Sequence, residues 1–227
     1  MLFPIGDDNV KGGFRPIFCY LFLLANIAVY IMEVRMGPDL QAFIFTFGGI
    51  PAEIMRGQDL YTLFTSMFLH GGLAHLIGNM LFLWIFADNV EAIIGNRRFL
   101  IFYLLGGLAA HLLHLFFNPT STVPTVGASG AIAAVLGAYL VMFPRSQVRV
   151  LFLIFPFYIS AWLFLGIWIF MQVSSGLGSL EVSTAQSAGV AYWAHVGGFV
   201  FGFLMGFLYR NRDLKRHKRR KQEQEYV

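Results

Sequence analysis

The chain alternates long apolar runs with short polar breaks, and six of the runs have the length of membrane spans, at about 16–34, 73–90, 99–117, 129–143, 150–171 and 191–209. A hydrocarbon core of about 30 Å asks for roughly 17–25 helical residues per crossing. The fourth run is short and opens on a serine, in "GASGA" at residues 127–131. The pattern predicts an all-α polytopic membrane protein: one six-helix bundle over residues 1–210, then a basic tail over 211–227. Residues 37–70, the longest connection, are too hydrophobic for an exposed loop yet broken by Gly, Pro and charges, which predicts a partly embedded interfacial element. Residues 172–190, rich in Gly and Ser, predict a mobile loop.

Composition supports this picture. Of 227 residues, 57% are hydrophobic and 12% charged, which excludes an ordinary soluble domain. Charge adds an orientation. Lys11 and Arg15, Arg97 and Arg98, Arg145 and Arg149, and the run from Arg210 to Lys221 all fall on one side of the predicted spans. The other side carries only Arg35 and Arg56, so both termini are expected in the cytoplasm, with the protein in the cell (inner) membrane. The first apolar run lacks a small-residue cleavage site and reads as a retained signal anchor. The basic tail is expected to meet anionic lipid headgroups rather than nucleic acid. The single Cys19 has no partner for an internal disulfide.

Strongly polar side chains inside spans are costly, and each is a candidate for function. The set is His75, Asn79, His111, His114, Ser129 and His195. His75 and Asn79 lie one helical turn apart and can address one cavity. Ser129 lies 16 residues before Arg145, and His195 lies 15 before Arg210. At about 1.5 Å per residue, both sit roughly 23 Å from the basic side, level with each other and some 7 Å below the other surface. Small residues recur every four positions in both spans: Ser129, Ala133 and Gly137 in one, Ala194, Gly198, Gly202 and Gly206 in the other. Such faces let two backbones approach closely.

If those faces meet, Ser129 and His195 come within hydrogen-bond reach, the minimum apparatus for an activated nucleophile. The acidic residues all fall in loops, the tail or helix ends, so a dyad is expected rather than a carboxylate triad. The Ser129 amide at a helix N-terminus, the Asn79 side chain and His75 are candidate donors to an oxyanion, and the glycines at 127 and 130 permit close backbone approach.

Simpler readings exist for each part. A serine in "GASG" can cap a helix or pack against its neighbour, and a membrane histidine can serve as an interhelical hydrogen bonder. His111 and His114 are spaced to share a metal, but no HExxH motif or nearby carboxylate accompanies them, so packing is expected, with no metal or other cofactor. His70 is expected at a loop boundary and Glu91 in a structural role.

Together, "FTSMFLHGGLAHLIGNMLFLW", "VGASGAIAAVLGAYL" and "AHVGGFVFG" resemble the rhomboid intramembrane serine proteases, from the first span through the sixth. The resemblance implies Ser129 as nucleophile, His195 as base and acid, His75, Asn79 and the Ser129 amide around the oxyanion, and Glu91 as a structural residue; Gly127, which permits close backbone approach, is a further candidate for positioning substrate there. It implies as substrate a transmembrane segment of a membrane protein, cut near its outer end. The chain departs from the family pattern at Ala133, where many members place an aromatic residue against the histidine, and at Tyr61-Thr62, where many have Trp-Arg. The competing expectations are a catalytically inactive relative that binds membrane clients, and a small transporter using the buried histidines. The first predicts loss of Ser or His, and the second intramembrane carboxylates or broken helices.

Overall fold

The computed structural model describes residues 2–8, 15–181 and 190–225; Lys11 and the 182–189 part of the expected mobile loop lie outside them. In chain order the elements are β1 (Leu2–Asp7), α1 (Ile17–Arg35), the short helices α2 (Leu40–Phe47), α3 (Pro51–Ile54) and α4 (Thr62–Thr65), then α5 (Leu73–Ile94), α6 (Asn96–Phe117) and α7 (Ser129–Met142). The hairpin strands β2 (Gln147–Phe152) and β3 (Phe155–Ser160) precede α8 (Ala161–Glu181) and α9 (Tyr192–Glu225). Among the described residues, five helices are long and apolar enough to cross a membrane: α1, α5, α6, most of α8, and α9 up to Arg210. The chain is mostly helical, as the pattern predicts.

The structure corrects two boundaries. The fifth span begins at Ala161 rather than at 150. Residues 147–160 form an antiparallel hairpin with Phe152 opposite Phe155, and β1 completes a sheet in the order β1-β2-β3. The apolar run VLFLIF follows QVR in the same strand, and the period of two shows at its start: Gln147 and Arg149 face out while Val148 and Val150 are fully buried. Residues 172–181, expected in a loop, continue α8. One of their small residues packs closely: Gly176 is buried, and a Cβ there would stand 3.2 Å from the Trp193 indole.

Helix α7 is the centre of the bundle, buried along almost its whole length. Its 14 residues reach only about 21 Å. A helix enclosed by other helices need not reach both faces of a bilayer, because protein rather than lipid surrounds its ends. Glycine brings α9 against it. A Cβ on Gly198 would overlap the Gly130 carbonyl, one on Gly202 the Ala134 carbonyl, and one on Gly137 the Phe199 carbonyl. On the far side α6 closes in, where a Cβ on Gly130 would lie 2.6 Å from that of Ala110.

Buried carboxylates hold the outer elements. Glu91 of α5 accepts the Phe18 and Cys19 amides at 2.9 and 2.8 Å, satisfying the N-terminus of α1, which has no side-chain cap of its own. This is the structural role expected of it. Glu33 of α1, 1% exposed, accepts the His70 amide at 3.0 Å. The sheet docks at the end of α7 opposite Ser129, where Tyr139 donates to Asp7 and Asn89 Nδ2 donates to the same carboxylate at 2.8 Å.

Burial pushes the Asp7 carboxyl up to about 6, against the hydrogen bond from Tyr139 and with the Asp88 carboxylate adding to the rise. The folded state therefore keeps this proton to higher pH than the unfolded chain does, so the contribution of Asp7 is full below about pH 4 and is lost as pH rises through about 6. The midpoint of unfolding in mixed micelles is expected to fall between pH 4 and 7 in the wild type and to change less in Asp7→Asn. In the same assay, Gly202→Ala is expected to lose about 1–3 kcal/mol, since a rigid carbonyl rather than a flexible side chain meets the new methyl.

Candidate active site

Close packing of α7 and α9 puts Ser129, in the first turn of α7, beside His195, in the first turn of α9. Ser129 Oγ and His195 Nε2 are 2.7 Å apart. With Nε2 accepting the serine proton, the imidazole carries its own proton on Nδ1, which donates to Gln172 Oε1 at 2.8 Å. The Trp168 ring lies beside the same imidazole, centroids 5.8 Å apart at 36°. Gln172 and Trp168 are one turn apart on α8; sequence reasoning placed Gln172 in a loop and Trp168 in a span without a role at the site. The signal that was available is their spacing with Leu165 and Gly176, the buried stripe of α8.

The other expected residues line the same cavity of about 450 Å³ as Ser129 and His195: His75, Asn79 and Gly127. Gly127 takes φ +125°, a conformation that excludes most side chains, and a Cβ there would stand 2.8 Å from His75 Nε2 and 3.5 Å from Asn79 Nδ2. The Gly71 amide faces His75 Nδ1 at 3.4 Å, leaving the proton on Nε2, the nitrogen next to Gly127. Asn79 Nδ2 donates one proton to His70 Nε2 at 3.0 Å. Burial, reinforced by the nearby His75, holds His70 down to about 4, so it stays a neutral acceptor. The second Asn79 proton is available to the cavity. The Ser129 amide, in the first turn of α7, has no acceptor within its own helix.

The loops around the cavity are tied down. Gly127 N donates to Ser66 O at 2.9 Å, and Gly49 and Thr125 exchange backbone hydrogen bonds at 3.0 and 2.9 Å. His111 and His114 belong to this scaffold rather than to the Ser129 contact: His111 Nε2 lies 3.0 Å from Ser66 Oγ, and His114 Nε2 lies 3.1 Å from Thr125 Oγ1. They pin the 37–70 connection and the segment before α7 to α6. Tyr61 and Thr62 point to local backbone: Tyr61 donates to Thr46 O at 2.9 Å and Thr62 to Asp59 O at 2.7 Å. Ala133 is wholly buried, and a Cβ on Gly198 would stand 3.3 Å from its methyl, so the small face of α9 occupies the direction in which an aromatic ring would project.

The arrangement joins a hydroxyl to an imidazole nitrogen, beside three N–H donors in one cavity. The rhomboid domain model matches residues 57–212. Rhomboid protease GluP of Bacillus subtilis is 30% identical over 190 residues, covering 83% of this chain and 34% of that protein. RHOMBOID-like protein 4 of Arabidopsis thaliana is 31% identical over 164 residues, 72% of this chain and 38% of its own length. The mitochondrial Rhomboid protein 1 of Saccharomyces cerevisiae is 30% identical over 210 residues, 89% and 56%. The chain thus spans between about a third and just over half the length of these relatives. The domain match over most of the chain, with the apolar helices that carry it, establishes that the protein belongs to the rhomboid family of multi-pass integral membrane proteins.

Proposed function

We propose that the protein is an intramembrane serine endopeptidase that hydrolyses peptide bonds in or near transmembrane segments of membrane proteins. The observation that carries this reading is the 2.7 Å contact between Ser129 Oγ and His195 Nε2 inside the cavity. Ser129 Oγ attacks the scissile carbonyl while His195 Nε2 takes the hydroxyl proton. The imidazolium returns it to the leaving amine as the C–N bond breaks, and water, deprotonated by the same nitrogen, then hydrolyses the acyl-enzyme. The oxyanion forms beside the Ser129 amide, Asn79 Nδ2 and His75 Nε2, with Gly127 leaving room for the substrate backbone. A helical substrate offers no free carbonyl, so it must unwind where it is cut, and helix-breaking residues there favour cleavage.

In this reading α7 is the sixth element of the membrane unit over residues 1–210, both termini face the cytoplasm of a cell with the protein in its inner membrane, and the basic stretch 211–227 lies against anionic lipid. Water reaches Ser129 from the outer face.

The test is cleavage of a single-pass transmembrane reporter by the purified protein in lipid vesicles. Ser129→Ala and His195→Ala are each expected to lose at least about 10³-fold in kcat. His75→Ala and Asn79→Ala are each expected to lose roughly 10²-fold, mostly in kcat rather than KM, because their donors act on charge that develops during reaction. Equal cutting by wild type and Ser129→Ala would refute the serine mechanism. Capture of the reporter without cleavage by either would instead mark a client-binding rhomboid-like protein.

A further inference from the structure

We infer that Gln172 is the positioning residue for His195, a neutral third member that completes the Ser129–His195 pair from α8; the inference rests on the proposed protease reading. The imidazole has two nitrogens, and a base for Ser129 must keep Nε2 free of a proton and aimed at Oγ. Gln172 Oε1, 2.8 Å from Nδ1, is an acceptor only, so it holds the proton on Nδ1 and leaves Nε2 as the lone-pair nitrogen. The hydrogen bond also sets the angle of the ring about its Cβ–Cγ bond, and Trp168 on one flank limits its swing. With Ala133 the ring has no aromatic neighbour from α7. The restraint comes from α8 instead.

The choice of an amide follows from the setting. Gln172 and His195 are both half-buried among apolar helices, where a carboxylate needs partners for its charge in every state of the protein. An amide oxygen provides the same acceptor geometry without that demand. Its position on the helix is well determined: Leu165, fully buried, and Gly176, packed on Trp193, share the inward stripe with Trp168 and Gln172, while Ile167, Phe170 and Met171 face outward. The seating of α8 on α9 therefore sets the tautomer of the base.

The experiment compares wild type, Gln172→Leu, which keeps the bulk and removes the acceptor, and Gln172→Glu, which keeps an oxygen acceptor. The reporter in lipid vesicles supplies kcat and KM, and ¹⁵N spectra of histidine-labelled protein in micelles supply the His195 tautomer, its signal assigned by its loss in His195→Ala. Gln172→Leu is expected to lose roughly 10- to 100-fold in kcat with KM within about twofold of wild type, a part of the 10²- to 10⁴-fold that a positioned base contributes. Its His195 signals are expected to shift from the single Nδ1–H form to a mixture. Gln172→Glu is expected to recover most of the rate and the single tautomer. A Gln172→Leu protein with wild-type kcat, or with an unchanged His195 spectrum, overturns the inference, as does a Gln172→Glu protein no better than Gln172→Leu despite the same unfolding midpoint. Should no reporter be cut by wild type, the protease reading fails, while the tautomer comparison still decides whether Gln172 orients His195.

Discussion

Helices α7 and α9 touch backbone to backbone, and the rest of the structure is arranged around that contact. Between Gly198 and Gly130, and between Gly202 and Ala134, there is no room for a single added carbon. In a bilayer, lipid competes with protein for apolar surface, so helix association depends on packing closeness more than on burial from water. The glycine stripe supplies that closeness, and Ser129 and His195, both in first turns, are brought together as a direct consequence. A hydrogen bond of 2.7 Å between residues 66 positions apart in the chain leaves no slack for a looser interface.

Polar groups that look costly in isolation form the second layer of the design. Glu91 satisfies the first amides of α1, and Glu33 holds the His70 backbone while the His70 ring receives Asn79. His111 and His114 fasten two loops to α6 through Ser66 and Thr125. The Glu91 bonds join two helices, and the others join a helix to a connecting segment. Irregular backbone cannot persist in an apolar setting unless its groups are paired, and this web gives the cavity rigid walls. Gly127 needs such support most, since its φ of +125° sits against His75 and Asn79.

Much of the site was legible before the fold was known. The four-residue spacing of His75 and Asn79 put them on one face, and equal distances from the basic ends put Ser129 and His195 at one level. The small-residue stripes named the two helices that meet. Errors arose where composition was ambiguous. VLFLIFPF is as apolar as a span, yet it belongs to a hairpin whose first strand begins at Gln147 and turns Val148 and Val150 inward as alternate positions, and that hairpin docks on the far end of α7. Residues 172–181 have the glycine and serine content of a loop, yet they continue α8, with Gly176 packed on Trp193. That second misreading hid Gln172.

The sequence alone determined the membrane character, the approximate number of long helices and the pairing of a serine with a histidine, because hydrophobic length, charge placement and helical period are local properties carried by neighbouring residues. Only the tertiary structure decided what holds the histidine. Its partners come from α8, 23 residues away for Gln172, and nothing in the chain's local pattern says which side of α9 that helix covers. The same holds for Glu33 and His70, and for His111 and Ser66. A hydrogen bond between distant segments depends on the rotation of each helix about its own axis, and that rotation is set by packing against all its neighbours together.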